Sequence, residues 1–225
     1  MQAVTRDGKY GQFHRASAEK RERILHAALE EFADKEYAQA STNAIVARAD
    51  ISKGLLFHYF GDKAGLFRYL LAHVTEALTE DIFTQTNMQG SDVFDVLHKI
   101  IQAKLQTTAN HPLEVRFYAR ALTSDLPPKV RDVLENAISQ SYDSLNLISD
   151  HLDARLLKEG LDKKQVVKII KWVSEGMTNE ILASLDPTSN IDEYSQVYGL
   201  AEDYFGLLRW LLYKKINNKG EEVFV

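Results

Sequence analysis

The sequence predicts an all-α protein of about nine helices: a small helix-turn-helix unit near the N-terminus and a larger helical domain after it. Three observations support this. From Ala18 onward, apolar residues recur at helical spacing and never in the strict alternation of a half-buried strand. The recurrences break at residues that start or stop helices, namely Ser41, Ser52, Asn110-His111-Pro112, Pro127-Pro128, Gly160 and Asp186-Pro187. Between Ala49 and Ser52 the break is so short that two brief helices must be joined by a tight turn.

Taken in order, residues 1–17 place Arg6, Lys9 and Arg15 among glycines and polar residues, which predicts a mobile arm. A first helix follows from about Ala18 to Lys35, with Ile24, Ala28, Leu29 and Phe32 as its apolar stripe. The second runs from Thr42 to Ala49, capped by Ser41 or Thr42, and the third starts at the N-cap Ser52. The turn between them needs a residue near positive φ, and Asp50 tolerates that better than most side chains. A long fourth helix, about Lys63 to Thr84, carries Leu66, Phe67, Leu70, Leu71, Val74 and Leu78. It is long enough to leave one domain and enter the next, so the junction is placed near residue 80.

A loop is expected at Asn87–Asp92, then helices over about 93–110 and 113–122. A long helix should open at Pro127-Pro128 and run to Glu159, with Gly160 closing it. Two more helices cover about 162–185 and 191–216. The expected organisation is an arm (1–17), a helix-turn-helix domain (18–80) and a second domain (81–225).

The stretch RILHAALEEFADKEY (Arg23–Tyr37), the helix around Ile45, SKGLLFHYF (Ser52–Phe60) and Asp62-Lys63 together resemble the DNA-binding domain of TetR-type transcriptional regulators. Asp50 stands where that family usually has glycine, Val46 where alanine is usual, Leu55 where a small or hydroxylated residue is common, and Gly61 where proline or lysine often sits. The resemblance implies a homodimer on a double-stranded, pseudo-palindromic DNA operator. It also implies that Lys53, Gly54, Leu55 and His58 face bases, while Thr42, Tyr59 and Lys63 meet phosphates. The residues agree with that chemistry: Ser52, Lys53 and Gly54 offer a hydroxyl, free N–H groups at a helix N-terminus, a cation and an unobstructed backbone. Leu55 can give only apolar contact, so base discrimination should fall on Lys53 and His58.

For the second domain the resemblance implies a pocket for a small-molecule effector, most often releasing the protein as a repressor. Candidate lining residues are His98, Arg116, Tyr118, Arg120, Tyr142, Trp172, Glu175 and Asn179, of which Trp172, Glu175 and Asn179 share one helix face. Surface ion pairs and interface packing would use the same residue types. A second reading gives this domain a protein partner in place of a small ligand. The last two helices are apolar on more than one side, and Gly199 and Gly206 fall on one face beside Trp210. Glycine costs about 1 kcal/mol in a helix interior, so two on one face suggest close backbone approach by a second copy.

Composition narrows the class further. The absence of cysteine excludes disulfides and thiol catalysis and suits a cytoplasmic protein. The chain has no apolar run of membrane-spanning length, and its first residues lack the apolar core of a secretory signal. The net charge of −5 is uneven: residues 1–64 carry +1 and the remainder −6. DNA affinity depends on cations facing phosphates, so this balance is compatible with DNA binding without arguing for it. No metal-ligand, phosphate-loop or nucleophile motif is present; no catalytic role, metal or cofactor is expected.

Overall fold

The structure is a computed structural model and describes residues 8–86, 92–184 and 191–215. The expected loop over 87–91, the break at Asp186-Pro187 and Arg6 lie outside the described residues, as does the side chain of Tyr142. Ten helices are present among the described residues: α1 Gly11–His14, α2 Ala18–Asp34, α3 Thr42–Ala49, α4 Lys53–Phe60, α5 Lys63–Gln85, α6 Val93–Asn110, α7 Pro112–Thr123, α8 Pro128–Ile148, α9 Lys163–Ser184 and α10 Ile191–Leu212. None of them is long and apolar enough to cross a membrane.

The chain divides into two compact units. The first holds α1 to α4, α5 up to Glu80, α7 and α8 as far as Ser139. Its core joins Ile24, Ala28 and Phe32 of α2, Ile45 and Ala49 of α3, Leu56 and Phe60 of α4, Leu66, Phe67, Leu70 and Leu71 of α5, and Phe117 of α7. Residues 81–225 therefore do not behave as one domain, because Asn110–Ser139 belongs with the head. The cause is aromatic packing and ion pairing that no local pattern announces. Phe117 lies 5.2 Å from Phe67 and 6.5 Å from Phe32 between ring centres, and Arg116 pairs with Asp34.

Of the expected arm, the structure describes residues 8–17, and these are not an arm. Gly8–Tyr10 forms a 3-10 turn that runs into α1, with Tyr10 and Phe13 buried in the head's core. These two rings supply the burial that a mobile arm would lack.

The second unit contains α6, α9, α10 and the segment between α8 and α9. Val93, Phe94, Val96, Leu97 and Ile101 of α6 meet Val166 and Ile170 of α9 and Ala201, Phe205 and Leu212 of α10. Arg209 of α10 reaches Asp95 at 2.8 Å and Asp92 at 3.1 Å. The long helix expected to run to Glu159 instead ends at Ile148. Short 3-10 turns follow at Ser149–His151 and Ala154–Leu156, the second capped by Asp153, and Leu152 and Leu157 beside them are buried in the core. Leu157 then bridges to Tyr213, and the Lys158 amide donates to the Leu212 carbonyl at 3.0 Å, which stops α10 at Leu212. Gly160 has φ of 81°, but in a turn outside any helix.

Candidate DNA-binding site

Local capping builds α3 and α4. Ser41 and Ser52 are the N-caps, accepting from the amides of Ala44 (3.4 Å) and Leu55 (3.2 Å). Asp50 ends α3 in the left-handed region, φ 52° and ψ 55°, and the Ile51 amide returns to the Val46 carbonyl at 3.1 Å. Together these make a turn of the helix-turn-helix class in which Asp50 does the work usually given to glycine. Gly61, at φ 81°, stops α4.

Burial sorts the faces of α4. Leu56, Tyr59 and Phe60 point inward, Leu55 and Phe57 are half-buried, and Ser52, Lys53, Gly54 and His58 are exposed. Lys53 keeps its ammonium 5.7 Å from the centre of the Phe57 ring. A Cβ added at Gly54 would meet only Ser52 Oγ, at 4.0 Å. The fold itself therefore does not require glycine there, and the bare backbone leaves room for an incoming surface. Thr42 is half-buried at the head of α3. Lys63 is engaged within the head: its ammonium donates to the Ala38 carbonyl at 3.3 Å and lies 4.7 Å over the Tyr37 ring. Burial pushes its pKa down, opposed by the charge of Glu31.

Three features of the site escaped the sequence reading. One is α1, which packs against α4. The second is Gly65, whose position in the first turn of α5 brings it against the end of α4. An added Cβ would lie 1.9 Å from the Phe60 carbonyl oxygen. Asp62 holds this junction by accepting the Gly65 amide at 2.7 Å. The third is Glu31, a fully buried carboxylate on the apolar side of α2. Its Oε1 accepts from Lys35 Nζ at 2.8 Å and from the Ser41 amide at 2.9 Å, and its Oε2 lies 3.1 Å from a guanidinium nitrogen of Arg48 on α3. The sequence signal was available: Glu31 follows Ile24 by seven residues and Ala28 by three, which puts it within the apolar stripe.

Burial would raise the Glu31 pKa, but the hydrogen bonds from Lys35 and Ser41 and the charges of Lys35 and Arg48 outweigh it and hold the carboxyl below its ordinary value. A depressed carboxyl stabilises the fold above the unfolded-state carboxylate range and loses that contribution as pH falls through its own lower pKa. Glu31→Gln should thus lower stability at neutral pH by about 2 kcal/mol, as expected for loss of charged, buried hydrogen bonds. It should also flatten the acid side of the stability profile. Thermal unfolding between pH 7 and pH 3 (about the carboxylate range) checks both, and an unchanged acid limb would show that Glu31 does not shape it.

The expected effector residues fall in both units. Arg116, Tyr118 and Arg120 lie on α7 in the first unit, where Arg116 pairs with Asp34, Tyr118 packs on the core and Arg120 reaches the Ala33 carbonyl at 3.5 Å. In the second unit His98 lies 3.0 Å from Glu202, Glu175 is half-buried, and Trp172 and Asn179 are exposed. On α10, Gly199, Gly206 and Trp210 are exposed, and a Cβ at either glycine would meet nothing within 4 Å.

Two capped helices at a left-handed turn, the second presenting a polar N-terminus, form a helix-turn-helix, a motif whose second helix can enter the major groove. Residues 24–70 match the family model described as bacterial regulatory proteins, tetR family. The HTH-type transcriptional regulator BetI of Stenotrophomonas maltophilia (strain R551-3) is 24% identical over 147 residues, 63% of this chain and 75% of that protein. Among solved structures, a TetR family transcriptional regulator from Chloroflexus aurantiacus J-10-FL aligns with a TM-score of 0.57 at 21% identity, covering 91% of this chain and 98% of that one. NalD, the secondary repressor of the MexAB-OprM multidrug efflux pump in Pseudomonas aeruginosa, aligns with a TM-score of 0.54 at 21% identity, covering 81% and 96%. The structural likenesses show the fold. The family match adds that residues 24–70 are similar to the head of tetR-family regulators.

Proposed function

We propose that the protein is a homodimeric, ligand-responsive repressor that binds a pseudo-palindromic operator in the cytoplasm and leaves it when a small molecule occupies the second unit. The observation that carries this reading is the sorted face of α4, with Ser52, Lys53, Gly54 and His58 outward and Leu56 and Phe60 held in the core. Lys53 and His58 read bases, Leu55 adds apolar contact, and Thr42, Tyr59 and Lys63 meet phosphates; to do so Lys63 must exchange its Ala38 carbonyl for DNA.

Dimerisation is supported by α10, whose Leu200, Tyr204, Leu207 and Leu211 form an exposed stripe flanked by Gly199, Gly206 and Trp210. Exposed apolar stripes of this length mark interaction surfaces. The effector is assigned to the second unit, with His98, Trp172, Glu175 and Asn179 as the first residues to substitute. Tyr142 shares that unit, whereas Arg116, Tyr118 and Arg120 already serve the packing of α7. The unbroken α5 offers a route for coupling. It begins at Lys63 and ends in the second unit, where Asp81 accepts from Thr107 Oγ1 at 2.7 Å and from Gln85 at 2.8 Å.

The test is selection of duplexes from a random pool by the full chain. An enriched inverted repeat with half-sites about 34 Å apart, or a multiple of that, supports the reading; failure to enrich any sequence overturns it. With the selected duplex, His58→Ala should cost about 1–3 kcal/mol and re-rank single-base variants. An unchanged ranking would remove His58 from the base readers.

A further inference from the structure

We propose that α1 is a working part of the DNA-reading head, in which Phe13 and Tyr10 form an aromatic wedge that positions the recognition helix α4. The proposal rests on the DNA-binding reading above and extends it to residues outside the helix-turn-helix.

Phe13 is 0% exposed and touches three rings from two helices. Its ring centre lies 4.7 Å from Phe60 and 5.5 Å from Tyr59 on α4, and 5.2 Å from Tyr69 on α5. The contacts to Tyr59 and Tyr69 are edge-on, the geometry favoured by aromatic quadrupoles. Tyr10 adds Tyr69 at 4.9 Å and Phe60 at 6.1 Å, and its hydroxyl donates to the Gly65 carbonyl at 3.4 Å. The wedge thus spans the junction between α4 and α5.

A helix of four residues has no stability of its own, so α1 is ordered by what it packs against. Its far end is fixed as well: the Arg21 guanidinium donates to the carbonyls of His14 (3.0 Å) and Ala16 (2.7 Å). Only eight residues long, α4 depends equally on its neighbours for orientation. Leu56 carries one side of it into the core, while Tyr59 and Phe60 rest their rings on Phe13. Among the described residues the Tyr59 hydroxyl makes no hydrogen bond, so its ring is positioned by packing alone. A change at residue 13 therefore changes where α4 and the Tyr59 hydroxyl stand, without replacing any residue that faces DNA.

The experiment compares Phe13→Ala and Phe13→Leu with the wild-type full chain on two probes: the duplex selected by the wild-type protein, and a scrambled duplex of the same composition. Hydrogen exchange of the free proteins is measured in parallel. For Phe13→Ala, at a temperature where circular dichroism shows it folded, the selected-to-scrambled affinity ratio should fall about tenfold, the worth of one lost base contact. Amide exchange should accelerate over residues 53–60 while residues 18–34 and 93–110 keep their protection. Phe13→Leu, apolar but without a ring edge for Tyr59, should show smaller changes of the same kind. An unchanged ratio, or exchange that accelerates across the whole head alike, would overturn the wedge and leave α1 a general stabiliser. If Phe13→Ala does not fold, Phe13→Leu decides by the same two readouts. A wild-type protein that selects no sequence defeats the DNA-binding reading itself, whereas selection by wild type with an equal ratio in the variants defeats only the wedge.

Discussion

Gly65→Ala should strongly destabilise the head, whereas Gly54→Ala should leave it intact and weaken DNA binding. Both glycines are in helices of the same unit, so propensity alone would make either alanine stabilising by up to about 1 kcal/mol. Space decides the outcome. At residue 65 the new Cβ would sit 1.9 Å from the carbonyl oxygen of Phe60 and 3.1 Å from its carbon, both backbone atoms that no rotamer change can move. Relief requires α5 to withdraw from the end of α4, which breaks the Asp62 cap and the Tyr10–Gly65 hydrogen bond and opens the packing of Leu66 and Tyr69. Overpacking in a core costs about 1–3 kcal/mol, and a backbone clash should reach or exceed the upper end. A fall in Tm of roughly 10 °C or more is expected. At residue 54 the nearest atom is 4.0 Å away, so Tm should hold or rise while affinity for the selected duplex falls. Melting and binding curves for the two variants test this, and a wild-type Tm for Gly65→Ala would refute the steric account.

Leu207→Glu should convert the proposed dimer to monomers and remove most of its operator affinity. Leu207 is 49% exposed in the protomer, so a charge there costs the isolated fold little. In an interface related by two-fold symmetry, the substitution places carboxylates from both copies in the same apolar region, with no cation supplied to match them. Two linked heads bind two half-sites with an avidity about 10²–10⁴ above that of one head, and separation forfeits that factor. Sedimentation at micromolar concentration (about 1 µM corresponds to −8.2 kcal/mol) with binding to the selected duplex would show both losses together. A variant that stays dimeric would move the interface away from α10.

What was legible in the sequence was whatever the chain settles over a few residues. Ser41 and Ser52 cap the amides three positions on, Asp50 takes the left-handed turn, and apolar spacing sets the faces of α2, α4 and α5. These interactions link residues that are near in sequence whatever the rest of the chain does, so the helix-turn-helix could be read directly. The tertiary structure alone decided the remainder. Tyr10 and Phe13 look like arm residues until the rings of α4 and α5 surround them. Periodicity places Glu31 within the apolar stripe of α2, but its partners Ser41 and Arg48 come only with the fold. Leu152 and Leu157 end α8 early because the second core needs them, and Phe117 draws α7 into the head. Gly65 is unremarkable among helix residues except that the Phe60 carbonyl lies where its side chain would be. In each case the deciding partner comes from another element, and its position is a property of the packed fold that local periodicity does not encode.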